Sequence, residues 1–358
     1  MLINKIDYLE FYVFNAFQAA NFYISVLGFD IIAYGSLETG LHDKIFYILM
    51  QGNIKLILSS AINKSSPLIQ HVIIHDDSVK DIAFLCDNVC ETFNLCLEKG
   101  AKLILYPTEV SDGKNKIIKA SIITFGDTVH SFIEYKSDSL ILPFYIPISN
   151  LLADKNVGLK EIDHLAIALE ASTIKKWQEF YEIVFGFHVF YSEDIYLCKS
   201  GMLSVVLSDN NDRIKFVFVE PISKGEKSQI ETYINYNGGP GVQHLAFLTD
   251  DIVGSVKLLK EQGIEFLDVP LNYYEDIKDR FTHKISDSML QCIRKYQILI
   301  DEDKNGYLMQ SFSKPLQNSP TFFIEIIQRE NAVGFGSGNI KALYTAVQKA
   351  QQISGLIK

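Results

Sequence analysis

The chain has 358 residues, 48% hydrophobic and 21% charged, with 33 Lys and Arg against 43 Asp and Glu. At about 150 residues per domain this length predicts two to three domains with ample core, and 12% aromatic content, with 24 Phe and 18 Tyr, excludes a disordered or low-complexity chain. A net charge of −10 excludes nucleic acid, since neutralising phosphates takes clustered Lys and Arg, and it also weighs against an anionic substrate. Five Cys make no disulfide framework and fit a reduced cytoplasm, which is the expected compartment. Met1 to Asp7 lacks a basic region followed by a long apolar stretch, and no apolar run approaches the length of a membrane span. Neither a signal peptide nor a membrane partner is therefore expected.

In chain order, Ile6-Asp7-Tyr8-Leu9 reads as a strand, followed by a helical stretch that ends at Leu27-Gly28-Phe29. His75-Asp76-Asp77 reads as a solvated turn. Val79 to Leu85 reads as a second strand, followed by a helical segment with Cys86, Cys90 and Cys96 in or beside it and then by Gly100. The helical spacing of those cysteines, without a His pair, points to packing rather than zinc. His130-Ser131-Phe132-Ile133-Glu134 is the last strand of this half. The Pro-bearing segment Leu142 to Pro147 and the polar stretch Asn150 to Lys160 read as a connector. The division falls near residue 150, giving domains 1–150 and 151–358.

The second half repeats the first. Ile162-Asp163-His164-Leu165 matches the opening strand, and Ser172 reads as the N-cap of a helix with Ile174, Trp177, Tyr181 and Val184 on one face. Gly186 stands where glycine stops a helix, and Lys215 to Val219 alternates as a strand. Val242 to Leu248 matches Val79 to Leu85, Ile252, Val256 and Leu259 mark a further helix closed by Gly263, and Thr321 to Glu325 parallels His130 to Glu134. This is one duplication, not a solenoid array.

The copies differ where chemistry is possible. Tyr8, Asp81 and Glu134 of the first half align with His164, His244 and Glu325 of the second, which lie 80 and 81 residues apart. Two imidazoles and a carboxylate on one face leave adjacent coordination positions open, as a non-haem Fe(II) oxygenase requires. A lone His in an apolar strand is more often a hydrogen-bonded core residue than a ligand. Matching positions in matching modules, however, lie at equivalent places in the fold. Gly334-Phe335-Gly336-Ser337-Gly338 lacks the Lys-Ser/Thr ending of a P-loop and the spacing of a dinucleotide fingerprint. No G-x-S-x-G elbow occurs.

Gly241-Val242-Gln243-His244, Tyr307 to Phe312, Pro320 to Arg329 and Gly334 to Leu343, with Ser228-Gln229-Ile230 and Tyr236 to Gly239, resemble the 4-hydroxyphenylpyruvate dioxygenase and 4-hydroxymandelate synthase family. The likeness covers essentially the whole chain and is strongest from about residue 160 onward. It implies an α+β vicinal-oxygen-chelate (glyoxalase-like) fold. Tandem βαβββ modules curl as half-barrels, the second around the metal, with a C-terminal helix, roughly Ile340 to Ser354, over the site mouth. It implies Fe(II) held by His164, His244 and Glu325. The implied substrates are O2 and 4-hydroxyphenylpyruvate, whose own 2-oxo acid chelates the iron and is oxidatively decarboxylated. It places Ser204, Gln229, Gln243, Gln310, Phe312, Phe335, Asn339 and Ile340 near the substrate. For the polar residues ordinary strand hydrogen bonding, and for the Phe residues core packing, remain open.

Two departures bear on the product, which is homogentisate in the dioxygenases and 4-hydroxymandelate in the synthase. Where dioxygenases usually carry Phe after the Gly-Asn pair this chain has Ile340, and where they tend to carry Asn two residues before Pro221 it has Val219. Both changes, with Ile6-Asp7-Tyr8-Leu9-Glu10, resemble the synthase, and that reading is favoured over homogentisate formation. An extradiol ring-cleaving enzyme and a non-catalytic small-molecule binder on the same fold are the remaining alternatives. Oligomeric state is not fixed by the sequence, a homodimer being compatible with it.

Overall fold

A computed structural model describes residues 3–137, 142–148, 156–197, 200–223, 225, 227–275, 277, 281 and 285–353. The first half runs β1 (Lys5–Tyr12), α1 (Ala16–Ser25), β2 (Asp30–Gly35), β3 (Lys44–Gln51), β4 (Ile54–Ala61), α2 (Pro67–His75), β5 (Ser78–Leu85), α3 (Val89–Glu98), β6 (Leu103–Ser111), β7 (Lys116–Ile123), β8 (Val129–Tyr135) and β9 (Ile146–Pro147). The second runs β10 (Leu159–Ala168), α4 (Ile174–Phe185), β11 (His188–Leu197), β12 (Ser200–Ser208), β13 (Lys215–Ser223), α5 (Gln229–Asn237), β14 (Gly241–Thr249), α6 (Ile252–Glu261), α7 (Asp287–Tyr296), β15 (Leu299–Glu302), β16 (Tyr307–Phe312), β17 (Phe323–Glu330) and α8 (Ser337–Ile353). The expected division near residue 150 falls in 149–155, and the expected helix end at Ser354 likewise lies outside the described residues. No described helix is long and apolar enough to cross a membrane.

Each half forms its own mixed sheet, in the orders β6-β7-β8-β5-β1-β4-β3-β2-β9 and β11-β12-β13-β10-β14-β17-β16-β15. Both are built alike. The opening strand lies in the interior of the sheet, parallel to the fourth strand of its own βαβββ unit and antiparallel to the first strand of the next: β1 with β4 and β5, β10 with β13 and β14. The strands alternate two buried faces. Leu165 and Ile167 of β10 join the core beneath the helices, while Ala166 and Ala168 pack on the opposite side with Phe335 and Tyr344. Small side chains on that concave side leave room for a site.

Helix ends explain two local features. Gly186 adopts φ +71° and its N–H reaches the Glu182 carbonyl at 3.1 Å, so glycine stops α4 as its sequence suggests. The N-terminus of α4 is different. Ser172 lies one residue too early, at φ 65°, and Thr173 occupies the cap position without a side-chain bond to the helix N–H groups, its hydroxyl donating to the Glu170 carbonyl instead. Glu220 of β13 does the capping instead, accepting from Thr173 N at 2.9 Å and Ile174 N at 2.8 Å. A carboxylate from a neighbouring strand also complements the positive end of the helix.

The two halves share one apolar core. His130 of β8 is fully buried, its Nε2 2.7 Å from the Tyr181 hydroxyl of α4 and its ring stacked at 13° on Phe216 of β13. The expected solvated turn at residues 75–77 is not one. His75 is the last residue of α2 and only 4% exposed, because the loop after α5 packs over it.

Candidate metal centre

β10 slips register between Ile162 and His164. Strict alternation would send Asp163 and His164 to opposite faces, but the bulge lets both be buried side by side. Asp163 Oδ1 lies 2.8 Å from His164 Nδ1. This fixes the imidazole with its Nε2 turned inward, as an outer acceptor orients a metal-binding histidine. His244 comes from β14 and Glu325 from β17, the next two strands across the sheet. Glu325 Oε2 is 3.3 Å from His164 Nε2 and 3.5 Å from His244 Nε2. Metal–ligand bonds of about 2.0–2.2 Å separate ligand atoms by roughly 3.0–3.5 Å, so this donor set fits a bound divalent ion. All three residues are buried.

The electrostatics suit a cation. Burial alone would push the Glu325 carboxyl up, but His164 and His244 outweigh it and hold it at about 2. Burial pushes His244 down despite Glu325. Burial also works against the His164 cation, yet Glu325 and Asp163 raise it. Asp163 is held well below the usual carboxylate range, because Arg329 and His164 override its burial. The Arg329 fork grips it bidentately, Nε to Oδ2 at 2.6 Å and Nη2 to Oδ1 at 2.8 Å, while Nη1 reaches the Gly334 carbonyl at 2.6 Å. A second chain of bonds holds the other oxygen of Glu325. Gln310 Nε2 donates to Oε1 at 2.9 Å, Asn339 Nδ2 donates to Gln310 Oε1 at 2.8 Å, and the Tyr273 hydroxyl donates to Asn339 Oδ1 at 2.7 Å. The first turn of α8 is thereby tied to a carboxylate of the centre. The distal Nδ1 of His244 has no hydrogen-bond partner among the described residues, and its ring stacks on Phe323 at 4.6 Å.

A cavity of about 580 Å³, open solvent at its mouth included, adjoins the three residues. Residues from six strands line it, which requires the sheet to curl into a half-barrel, and α8 closes the side with Ile340, Leu343 and Val347. Of the residues expected near a substrate, Ser204, Gln229, Gln243, Gln310, Phe312, Phe335 and Ile340 line the cavity. Asn339 does not; it is fully buried behind Gln310. Met202, Val217, Ile230 and Phe323 also line it and carry no mark in the sequence beyond their apolar character. The supporting pair Asp163 and Arg329 was missed as well. Its signals were an Asp directly before a candidate ligand and an Arg on the Glu325 side of β17, four residues on.

The first half holds a counterpart without the ligands. Pairing of Asp81 with Val129 and of His244 with Phe323 shows that Glu325 corresponds to Ser131, not to Glu134 as the motif alignment suggested. Glu134 instead corresponds to Gln328. Each accepts a bond from a helix N-terminus, Glu134 from Val89 N at 3.2 Å and Gln328 from Ile252 N at 2.9 Å. At the centre of the N-terminal cup sits the Lys119 ammonium, 3.0 Å from Asp81 Oδ2 and 3.2 Å from the Tyr8 hydroxyl.

Comparison with known proteins agrees with this architecture. Residues 5–132 and 161–308 match the model of the Glyoxalase/Bleomycin resistance protein/Dioxygenase superfamily. The chain is 39% identical to 4-hydroxyphenylpyruvate dioxygenase of Yarrowia lipolytica over 98% of its own length and 92% of that protein. It is 38% identical to 4-hydroxyphenylpyruvate dioxygenase of Danio rerio over 97% of its own length and 91% of that protein. It belongs to the 4-hydroxyphenylpyruvate dioxygenase and 4-hydroxymandelate synthase family. A mutant of 4-hydroxymandelate synthase from Streptomyces coelicolor superposes with a TM-score of 0.89 at 33% identity, covering 98% of this chain and 100% of that one. As a member of that family the chain is an enzyme, and the two positions at which it departs from the dioxygenase pattern, Val219 and Ile340, both face the cavity.

Proposed function

We propose that this chain uses Fe(II) and O2 to decarboxylate 4-hydroxyphenylpyruvate oxidatively and to hydroxylate its benzylic carbon, giving 4-hydroxymandelate and CO2. One atom of O2 enters the new carboxylate and the other the benzylic carbon. The reading is carried by one observation: two buried imidazoles converge on one carboxylate oxygen in an apolar cavity bounded by Val219 and Ile340. Fe(II), when bound, supplies O2 activation. His164, His244 and Glu325 would hold it.

Charge selects the substrate class. Among the described residues the cavity lining contains no Lys or Arg, so a divalent ion against the single Glu325 charge leaves a net +1 for a monoanionic 2-oxo acid. The overall −10 acts on solubility and encounter, while the local field of the ion decides binding. Gln310 keeps Glu325 Oε1 occupied and leaves Oε2 to the imidazoles. Phe312 and Phe335 offer apolar walls to an aromatic ring, Ser204, Gln229 and Gln243 offer polar ones, and α8 excludes water from the oxidising site.

The product depends on where the ring lies. Ile340 in place of a planar Phe frees room on the α8 side, and Val219 provides no amide to anchor the ring; both support benzylic rather than ring attack. Homogentisate formation is the second reading, favoured by the 39% identity to a dioxygenase against 33% to the synthase. An extradiol mechanism needs an acid–base side chain beside the metal, and among the described residues the only titratable groups in the lining are the three proposed ligands. The test is aerobic incubation of iron-loaded protein with 4-hydroxyphenylpyruvate, following O2 uptake and separating products by chromatography. Mainly 4-hydroxymandelate supports the proposal, mainly homogentisate replaces it with the second reading, and no O2 uptake overturns both.

A further inference from the structure

A second His, His, carboxylate cluster lies outside the cavity. His71 and His75 stand four residues apart on α2, on one helix face, with ring centroids 4.5 Å apart. Asp127, from the turn before β8, brings its Oδ2 to 2.9 Å from His75 Nε2. The three residues offer ligand atoms within 4.8 Å of one another.

The bonding of His75 shows what the cluster lacks. Its Nδ1 is 2.6 Å from the Asn237 main-chain carbonyl, which only accepts, so that nitrogen carries a proton. Its Nε2 is turned to the Asp127 carboxylate, so an imidazole edge and a carboxylate oxygen converge on one point with His71 beside them. His164 is arranged the same way, with Nδ1 on an acceptor and Nε2 towards Glu325. An outer acceptor that fixes the tautomer of an inward-facing imidazole is the usual support of a metal ligand. His71 and His75 are 8% and 4% exposed, whereas the Asp127 side chain is 60% exposed, so a hydrated ion has a path in. A cleft of about 200 Å³, open solvent included, adjoins all three and leaves room for water in the remaining coordination positions. The Lys80 ammonium nearby is turned to the Asp127 main-chain carbonyl.

We propose that His71, His75 and Asp127 bind a second divalent transition-metal ion of the Zn(II) class, separate from the catalytic centre. Two imidazole nitrogens and one carboxylate select such ions over Ca(II) or Mg(II), which prefer all-oxygen sites. Its place in the fold gives it a role. Asn237 ends α5, and β14 begins at Gly241, three residues before His244. The turn holding Asp127 packs so closely on this segment that a Cβ on Gly126 would meet Pro240 O at 2.3 Å. The ion would clamp the N-terminal module to the segment that leads into a catalytic strand.

The test is Zn(II) titration of the metal-free full chain in competition with a chromophoric chelator. Wild type is expected to bind two equivalents. Glu325→Gln should keep one of them at unchanged affinity. Asp127→Asn, an exposed position that spares the fold, should weaken one at least tenfold, and His75→Gln should do the same with unchanged circular dichroism. One equivalent in wild type, or two in Asp127→Asn at wild-type affinities, overturns the proposal and leaves a proton as the bridging cation.

Discussion

Arg329→Gln is the most informative perturbation of the centre, because it touches no proposed ligand. Arg329 neutralises Asp163 through two short bonds, and Asp163 in turn orients His164. Glutamine removes the charge and the fork and leaves the Asp163 carboxylate, 8% exposed, without its cation. Breaking a buried pair from one side costs about 3–5 kcal/mol of stability. Part of that cost is relieved if the Asp163–His164 unit reorganises, and this is the route by which metal affinity suffers. Loss of an outer partner weakens metal binding about 10–100-fold, or roughly 1.4–2.8 kcal/mol. The third nitrogen of the guanidinium holds the Gly334 carbonyl, and its carbon lies 5.2 Å from the Phe335 ring centroid, so the cavity wall should loosen too. The assay is calorimetric titration of the metal-free protein with Co(II) as a stand-in for Fe(II), beside urea unfolding of the same samples. Affinity within threefold of wild type, in a variant that has lost the expected stability, would refute the orienting role and leave Arg329 as a purely structural cation.

Ile340→Phe should refill the space on the α8 side of the cavity and shift product towards homogentisate or slow turnover; an unchanged ratio and rate, read by chromatography, removes that position from product control. His130→Phe should flatten the acid limb of stability. Burial depresses its pKa to about 3, so its contribution is complete above the unfolded value of about 6.5 and is lost as pH falls below it. Between pH 6 and pH 4 wild type should lose about 2–3 kcal/mol more than the variant, on top of a constant cost of about 1–3 kcal/mol for orphaning the buried Tyr181 hydroxyl; equal slopes in urea titrations would count against it. Lys119→Met should destabilise by about 3 kcal/mol, because it strips the buried Asp81 of its cationic partner. A change below about 1 kcal/mol by the same measurement would show that Asp81 is satisfied by Ser131 alone.

How much of this was legible depended on whether a feature is local or relational. His164 and His244 could be read because each stands beside the same apolar neighbours as its counterpart in the other half, so a change of residue type stands out. Glu325 was legible from the same internal repeat, yet its counterpart was misassigned. HSFIE and TFFIE align well by residue type, whereas strand partners are set by hydrogen-bond register, which places Ser131 opposite Ala83 just as Glu325 is opposite Ala246. Asp163 stayed hidden because alternation assigns it to the other face, and only the bulge reverses that. His75 looked like part of a polar turn because its partners, Asp127 and Asn237, lie 52 and 162 residues away. Helix stops such as Gly186 were legible, since the reason for them is the residue itself.

Register equivalence shows what duplication did to the chemistry. Asp7, Tyr8, Asp81, Lys119, Ser131 and Tyr135 occupy in the first sheet the places held by Asp163, His164, His244, Gln310, Glu325 and Arg329 in the second. The bulge before the second position is kept in both, and so is the outer contact. Tyr135 donates to Asp7 at 2.6 Å where Arg329 grips Asp163. What changed is the source of positive charge. Burial raises the Tyr8 phenol far above its usual range, so it stays protonated and offers no anionic ligand, and Lys119 is pushed up, since Asp81, Tyr8 and Glu10 outweigh its burial. A tethered ammonium thus balances Asp81 in the first cup, where a divalent ion would balance Glu325 in the second. An ammonium has no vacant orbital for a substrate or O2, so the first cup is an electrostatically closed scaffold, and the catalysis proposed for this chain belongs to the copy whose cation would come from solution.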